Sequence, residues 1–119
     1  MAETKDTFTI INEGPIMVVS FHGSGFLDEE KIDLIGKDLV AALSAVPKPL
    51  VVLDMSNVRF CSSSIIGKFV VLYKTIVGLD GKVKFAGLEK SIGKVFRVTK
   101  LDRLFEVHTD VASALKSFS

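Results

Sequence analysis

The sequence predicts an α/β fold, a mixed and mostly parallel β-sheet with an N-terminal antiparallel hairpin strand and about four helices, and three observations predict it. Short β-rich runs alternate with segments of helical apolar spacing in the order ββαβαβαβα. The first two runs are separated only by Asn12, Glu13, Gly14 and Pro15, a turn-forming cluster that folds them into an antiparallel hairpin. The run from Leu50 to Leu53 is continuously apolar, as expected of an interior strand covered on both faces. Alternation of strand and helix after the hairpin implies parallel pairing through right-handed crossovers.

The hairpin strands are Phe8 to Ile11 and Ile16 to Phe21. After a loop containing His22, Gly23, Ser24 and Gly25, Asp28 is a good N-cap and Glu29 and Glu30 suit a first helical turn. Ile32, Ile35, Leu39, Ala42 and Leu43 then recur at helical spacing, and Pro47 ends that helix. Asp54 closes the central strand, and a second helix follows Ser62 or Ser63 and runs to about Gly78, a natural stop. On a wheel, Ile65, Ile66, Phe69, Val70, Tyr73, Ile76 and Val77 share a broad core face of this second helix. Val83 to Ala86 reads as a strand, Ile92, Val95 and Phe96 mark a shorter helix, and Leu104 to Val107 reads as the last strand. Asp110 caps a terminal helix carrying Val111, Ala114 and Leu115.

At 119 residues the chain has room for one ordinary core, so 1–119 is read as a single domain. Apolar residues make up 48% and charged residues 24%, which argues against disorder and low-complexity architectures. Fifteen basic and fourteen acidic side chains leave a net charge of +1, so no uniform field draws the chain to nucleic acid. The mean hydropathy of +0.42 is high, yet every apolar run is short, and no membrane insertion is expected. The excess belongs to a core or to a protein-binding face. One cysteine, Cys61, excludes an intramolecular disulfide and is compatible with a reducing cytoplasm, and the polar start of the chain is unlike a secretory leader.

The chemistry-bearing segment runs from Asp54 to Gly67, with Ser62, Ser63 and Ser64 at a loop-to-helix junction. Helix N-terminal amides lack intrahelical partners and sit at the positive end of the macrodipole. A serine there can cap the helix or carry a phosphate, and both readings stand open. The side opposite the core face holds Ser64, Gly67, Lys68, Val71, Lys74 and Thr75, a ridge that begins at the serines and suits docking as well as plain solvation.

At these residues the chain resembles the STAS domains, and in particular the small bacterial anti-sigma-factor antagonists. The resemblance rests on Gly25 to Asp28, Val51 to Asp54 with Val58, the serine cluster, Val83 to Gly87, and Val95 to Phe105 before a terminal Ala-Leu helix. It implies a STAS-like fold and a non-enzymatic, cytoplasmic switch that binds an anti-sigma-factor serine kinase and so releases a sigma factor. In the family an Asp-Ser-Ser-Gly or Asp-Ser-Thr-Gly loop opens the second helix, and its first hydroxyl residue is phosphorylated. Alignment puts Ser63 at that position, with Ser62 and Ser64 as alternates; Ser62 replaces the acidic residue and Ile65 the glycine. The implied partner surface comprises Ser62, Ser63, Ser64, Gly67, Lys68, Val71, Lys74 and Thr75. A second function is a STAS subunit that is not phosphorylated and binds a partner ATPase or signalling assembly. A weak homodimer and a small ligand in an apolar pocket both stay open.

No cofactor or metal is implied. The two histidines, His22 and His108, lie at or near strand ends without a Gly-x-Ser-x-Gly turn, a poor basis for a serine hydrolase, and lack the spacing of a metal site. Gly23, Ser24 and Gly25 lack the rest of a phosphate-binding fingerprint. Cys61 beside the serines is read either as a reactive thiol or as a buried inert one.

Overall fold

A computed structural model describes residues 2–4, 8–21, 29–58 and 62–118. The strands are β1 (Ala2–Thr4), β2 (Phe8–Glu13), β3 (Ile16–Phe21), β4 (Leu50–Asp54), β5 (Lys82–Ala86) and β6 (Glu106–His108), and the helices α1 (Glu29–Ser44), α2 (Ser63–Gly78), α3 (Lys90–Val98) and α4 (Val111–Lys116). They form a six-stranded sheet in sequential order, β1-β2-β3-β4-β5-β6. The pairs β1–β2 and β2–β3 are antiparallel, and β3–β4, β4–β5 and β5–β6 are parallel. The mixed sheet, the hairpin at Gly14 (φ +62°) and the interior place of β4 are as the sequence predicts.

Sequential order with right-handed crossovers puts α1, α2 and α3 on one face of the sheet. That face holds the larger core, in which Leu39 and Leu43 of α1, Phe69 and Leu72 of α2 and Ile92 and Phe96 of α3 cover Val19, Val51, Leu53 and Phe85. Phe85 is its centre, stacked on Phe105 at 4.7 Å and edge-on to Phe69 at 5.4 Å and Phe96 at 5.5 Å. The other face is covered by α4, whose Ala114 is buried against Ile16, Val18, Val52 and Ala86.

Three expectations need correction. The sheet has an additional strand, β1, which adds to β2 through the register Ala2 with Ile11 to Thr4 with Thr9. The last strand begins at Glu106 rather than Leu104, because Lys100 takes a left-handed conformation (φ +64°) and a 3-10 turn, Leu101–Arg103, leads the chain inward. Phe105 is thereby a buried plug and Leu104 is exposed. On α2, the fully buried stripe is Ile65, Phe69, Leu72 and Ile76, so Leu72 joins the core and Val77 is 45% exposed. The stripe repeats at intervals of four, three and four residues, and Ile66, Val70 and Tyr73, expected on the same face, lie half-buried beside it and pack against this core. Val95 of α3 is likewise at the surface. The expected cap Asp28, the loop from His22 to Gly25, and Cys61 lie outside the described residues.

On the α4 face sits a buried cation, Lys84, only 7% exposed. Its ammonium donates to the Ser117 hydroxyl at 2.6 Å and carbonyl at 3.2 Å, pairs with Glu106 at 2.9 Å, and lies 4.2 Å from the centre of the Phe118 ring. Burial of a charge requires such satisfaction. The Glu106 carboxyl is held below its ordinary value of 4.5, first by the hydrogen bond with His108 and then by Lys84. A carboxylate with a depressed folded-state pKa stabilises the fold at pH above its ordinary value, and the contribution is lost as pH falls through the folded value. Glu106→Gln is therefore expected to lower stability at neutral pH by no more than about 1 kcal/mol, because half of this side chain is solvated. Urea titrations at descending pH should show the wild type and the variant converging well below pH 4.5; a gap that stays constant across the series contradicts the ion pair's role.

Candidate functional site: the β4–α2 junction

The junction is built from the end of β4 outward. The Asp54 carboxylate accepts from the Ser56 amide at 3.1 Å and hydroxyl at 2.7 Å, and its second oxygen accepts from the Ser20 hydroxyl of β3 at 3.3 Å. This closes an Asx turn that directs the chain out of the sheet. Met55 and Val58 then anchor the loop in the core, the Met55 amide donating to the Ala86 carbonyl at 2.8 Å and the Val58 amide to the Met55 carbonyl at 3.0 Å. Across the same rim the Gly87 amide donates to the His108 carbonyl at 3.1 Å. Gly87 has φ +71°, and a Cβ there would meet Ser56 at 3.3 Å.

The three serines are not equivalent. Ser62 has extended backbone and its hydroxyl accepts from the Ile65 amide at 3.2 Å, so it is the N-cap of α2. Ser63 is the first helical residue and is exposed, and among the described residues its hydroxyl has no hydrogen-bond partner. Ser64 is half-buried. The first turn of α2 carries no acidic side chain, so the helix itself places no like charge against an anion there.

Of the eight residues singled out from the sequence, the structure aligns four on one exposed line: Ser63, Gly67, Val71 and Lys74. Their separations of four, four and three residues follow one face of a helix. Val71 is 55% exposed, and a Cβ at Gly67 would meet nothing within 4 Å. The other four have different surroundings. Ser62 is the cap, Ser64 and Thr75 are half-buried, and the Thr75 hydroxyl donates to the Val71 carbonyl at 2.9 Å. Lys68 turns toward α1, where its ammonium pairs with Asp33 at 2.7 Å and its stem crosses Gly36 so closely that a Cβ there would lie 3.1 Å from Lys68 Cδ. The Asp33 carboxyl is held below its ordinary value, first by that hydrogen bond and by the Lys68 charge.

Asp33 and Gly36 went unnoticed in the sequence. The signal was Gly36 itself, since a glycine inside a helix weakens it by about 0.5–1 kcal/mol relative to alanine and is compatible with a close neighbour. His108 pairs with Glu106, and His22 lies outside the described residues. Among the described residues no cluster of three or more His, Cys, Asp or Glu side chains converges, and no helix is long and apolar enough to cross a membrane.

Comparison with known proteins bears on the whole chain. A protein described as an anti-sigma-factor antagonist (STAS) domain protein from Planctomyces limnophilus superposes with a TM-score of 0.79 at 21% identity, covering 94% of this chain and 98% of that one. An anti-sigma factor antagonist from Mycobacterium paratuberculosis gives 0.79 at 20% identity, over 93% and 92% of the two chains. The Bacillus cell fate determinant SpoIIAA in its phosphorylated form gives 0.71 at 16% identity, over 94% and 99%. At these identities the structures establish a shared fold, and a family model for the STAS domain matches residues 8–114. With nearly its whole length matched, the chain belongs to the STAS domain family.

Proposed function

We propose that the protein is an anti-sigma-factor antagonist that works as a phosphorylation-controlled binding switch, with Ser63 as the phosphoacceptor and the α2 line Ser63, Gly67, Val71 and Lys74 as the core of its docking surface. The observation that carries the reading is the division of labour between two serines. Ser62 holds the helix amide, so Ser63 is left exposed at the positive end of α2 with no structural duty among the described residues. Its likeness to solved antagonists, one of them described as phosphorylated, supports the same reading.

Unmodified, the line offers a small apolar residue, a glycine and a lysine to an anti-sigma-factor serine kinase, and occupancy of the kinase releases its sigma factor. Transfer of the ATP γ-phosphoryl group to the Ser63 hydroxyl adds about −1.5 to −2 charges at the head of the line. The phosphate is tolerated by the fold, because the helix terminus welcomes an anion, and opposes docking through its charge and desolvation cost. The protein supplies no catalytic group to the transfer; the kinase does.

The test pairs phosphorylation with calorimetry, using the anti-sigma-factor kinases of the same cell. Ser63→Ala is expected to fold and bind the kinase while taking up no phosphate, and Ser63→Asp to fold and bind about tenfold more weakly or worse. Val71→Glu is expected to change stability by no more than about 0.5 kcal/mol yet to impair binding. Phosphate uptake by Ser63→Ala moves the acceptor to Ser62 or Ser64. Full affinity in both Ser63→Asp and Val71→Glu rejects the ridge as the interface. The replacement of the family's acidic residue by Ser62 favours one further reading, a constitutive STAS subunit of a partner ATPase or signalling assembly; a ridge-dependent complex with no phosphate uptake at any serine selects it.

A further inference from the structure

Helix α3 carries a charge pattern that the α2 switch does not use. Lys90, Lys94 and Arg97 follow at intervals of four and three residues, so they lie within one narrow stripe. At 1.5 Å rise per residue the stripe is about 10 Å long, with successive Cβ atoms about 5–6 Å apart. All three are exposed, and among the described residues no carboxylate pairs with any of them. They line a surface cleft of about 570 Å³ together with Leu88, Glu89 and Gly93. Val98, 75% exposed, flanks the stripe one turn beyond Lys94.

From Glu89 to Arg103 the chain holds five basic side chains, Lys90, Lys94, Arg97, Lys100 and Arg103, against two acidic ones, Glu89 and Asp102. That is a local excess of three positive charges in a protein whose net charge is +1, so the remainder is net acidic. The Glu89 carboxylate already accepts from the Ser91 amide at 3.0 Å, so that helix amide does not add to the site. The side chains themselves are the unsatisfied element.

We infer that the α3 stripe is a second docking surface, for an acidic segment of a partner protein that presents carboxylates about 6 Å apart and an apolar side chain to Val98. Carboxylates at i, i+4 and i+7 of a helix match this spacing. Local complementarity acts within a Debye length of about 8–10 Å, which spans the stripe and little else. An extended polyanion also meets the net acidic remainder of the chain and is disfavoured. A bilayer is disfavoured as well: the apolar face of α3 is already buried in the core through Ile92 and Phe96, leaving only Val95 and Val98 to enter lipid. This inference rests on α3 and is independent of phosphorylation at Ser63.

The probes are two synthetic helical peptides that differ only in carrying Glu or Gln at i, i+4 and i+7, each with a leucine beside the last of these, along with phosphatidylserine-containing vesicles and a DNA duplex. Fluorescence anisotropy is expected to show the Glu peptide binding wild-type protein and the Gln peptide, vesicles and duplex binding about tenfold more weakly or not at all. The triple variant Lys90→Glu, Lys94→Glu, Arg97→Glu should lose about tenfold or more, and so should Lys90→Gln, Lys94→Gln, Arg97→Gln, which introduces no repulsion that endangers folding. Lys82→Glu with Lys116→Glu, on other surfaces, should bind as wild type. Equal binding of the two peptides, equal loss in the control variant, or stronger binding to vesicles or duplex than to the Glu peptide overturns the inference.

Discussion

Phe85→Ala is expected to lose about 3–5 kcal/mol of stability, the range for removing a fully buried aromatic ring. Phe85 is completely buried, and three other rings close on it: Phe105 stacked, Phe69 and Phe96 edge-on. Those rings come from α2, α3 and the chain just before β6, so no single neighbour can collapse into the space without moving a whole element. The aromatic pairs add about 0.5–1.5 kcal/mol each beyond buried area, and the variant loses them together. Against a typical total of about 5–15 kcal/mol, this loss leaves a marginal fold. The check is the urea midpoint; a shift worth less than about 1 kcal/mol shows that the cluster repacks and contradicts the central place given to Phe85.

Gly81→Ala is expected to destabilise by about 1–3 kcal/mol, toward the upper end, through overpacking rather than loss. A Cβ at Gly81 would lie 2.3 Å from the Pro49 carbonyl oxygen and 2.7 Å from Ile76 Cγ2. Neither neighbour yields easily. Pro49 is buried and its carbonyl accepts from the Lys82 amide at 2.9 Å at the start of β5, while the Gly81 amide donates to the Ile76 carbonyl at 2.9 Å. Ile76 is itself fully buried. Any shift that relieves the clash strains either the α2 terminus or the β4–β5 register. Thermal unfolding should show the loss, and Gly78→Ala, where a Cβ meets nothing within 4 Å, is the matched control. Equal melting temperatures for the two variants contradict the steric argument.

Legibility of the sequence varied with the kind of signal each element carried. Strand β4 was readable because burial on both faces leaves an unbroken apolar run, and α2 because its period of 3.6 extends over sixteen residues. Strand β1 has three residues, Ala2, Glu3 and Thr4, with no apolar alternation; it exists through backbone pairing to β2, which a linear pattern does not record. Leu104 and Phe105 imitate a strand, whereas the deciding feature is the left-handed backbone at Lys100, at a residue type that gives no hint of it. At the site, the serine cluster was visible, but which serine caps the helix is a one-residue question, inside the usual uncertainty of helix ends. The engagement of Lys68 by Asp33 joins residues on different helices and belongs to tertiary structure alone.

The grip of Lys84 on Ser117 bears on the order in which the molecule opens. Helix α4 has six residues, well short of the length at which an isolated helix persists in water, so its order depends on the sheet beneath it. Its tethers to Lys84 span thirty-three residues and close a long loop, whereas α1 and α2 are joined by many neighbouring contacts. The terminal helix is thus a cooperative unit of its own, able to detach at a lower free energy than global melting requires. Detachment bares Ile16, Val18 and Val52, β-branched residues on one face of the sheet. The partly unfolded species expected first keeps its helical layer and exposes the opposite face of the sheet to association, and Lys84, together with the packing of Ala114, keeps its population small.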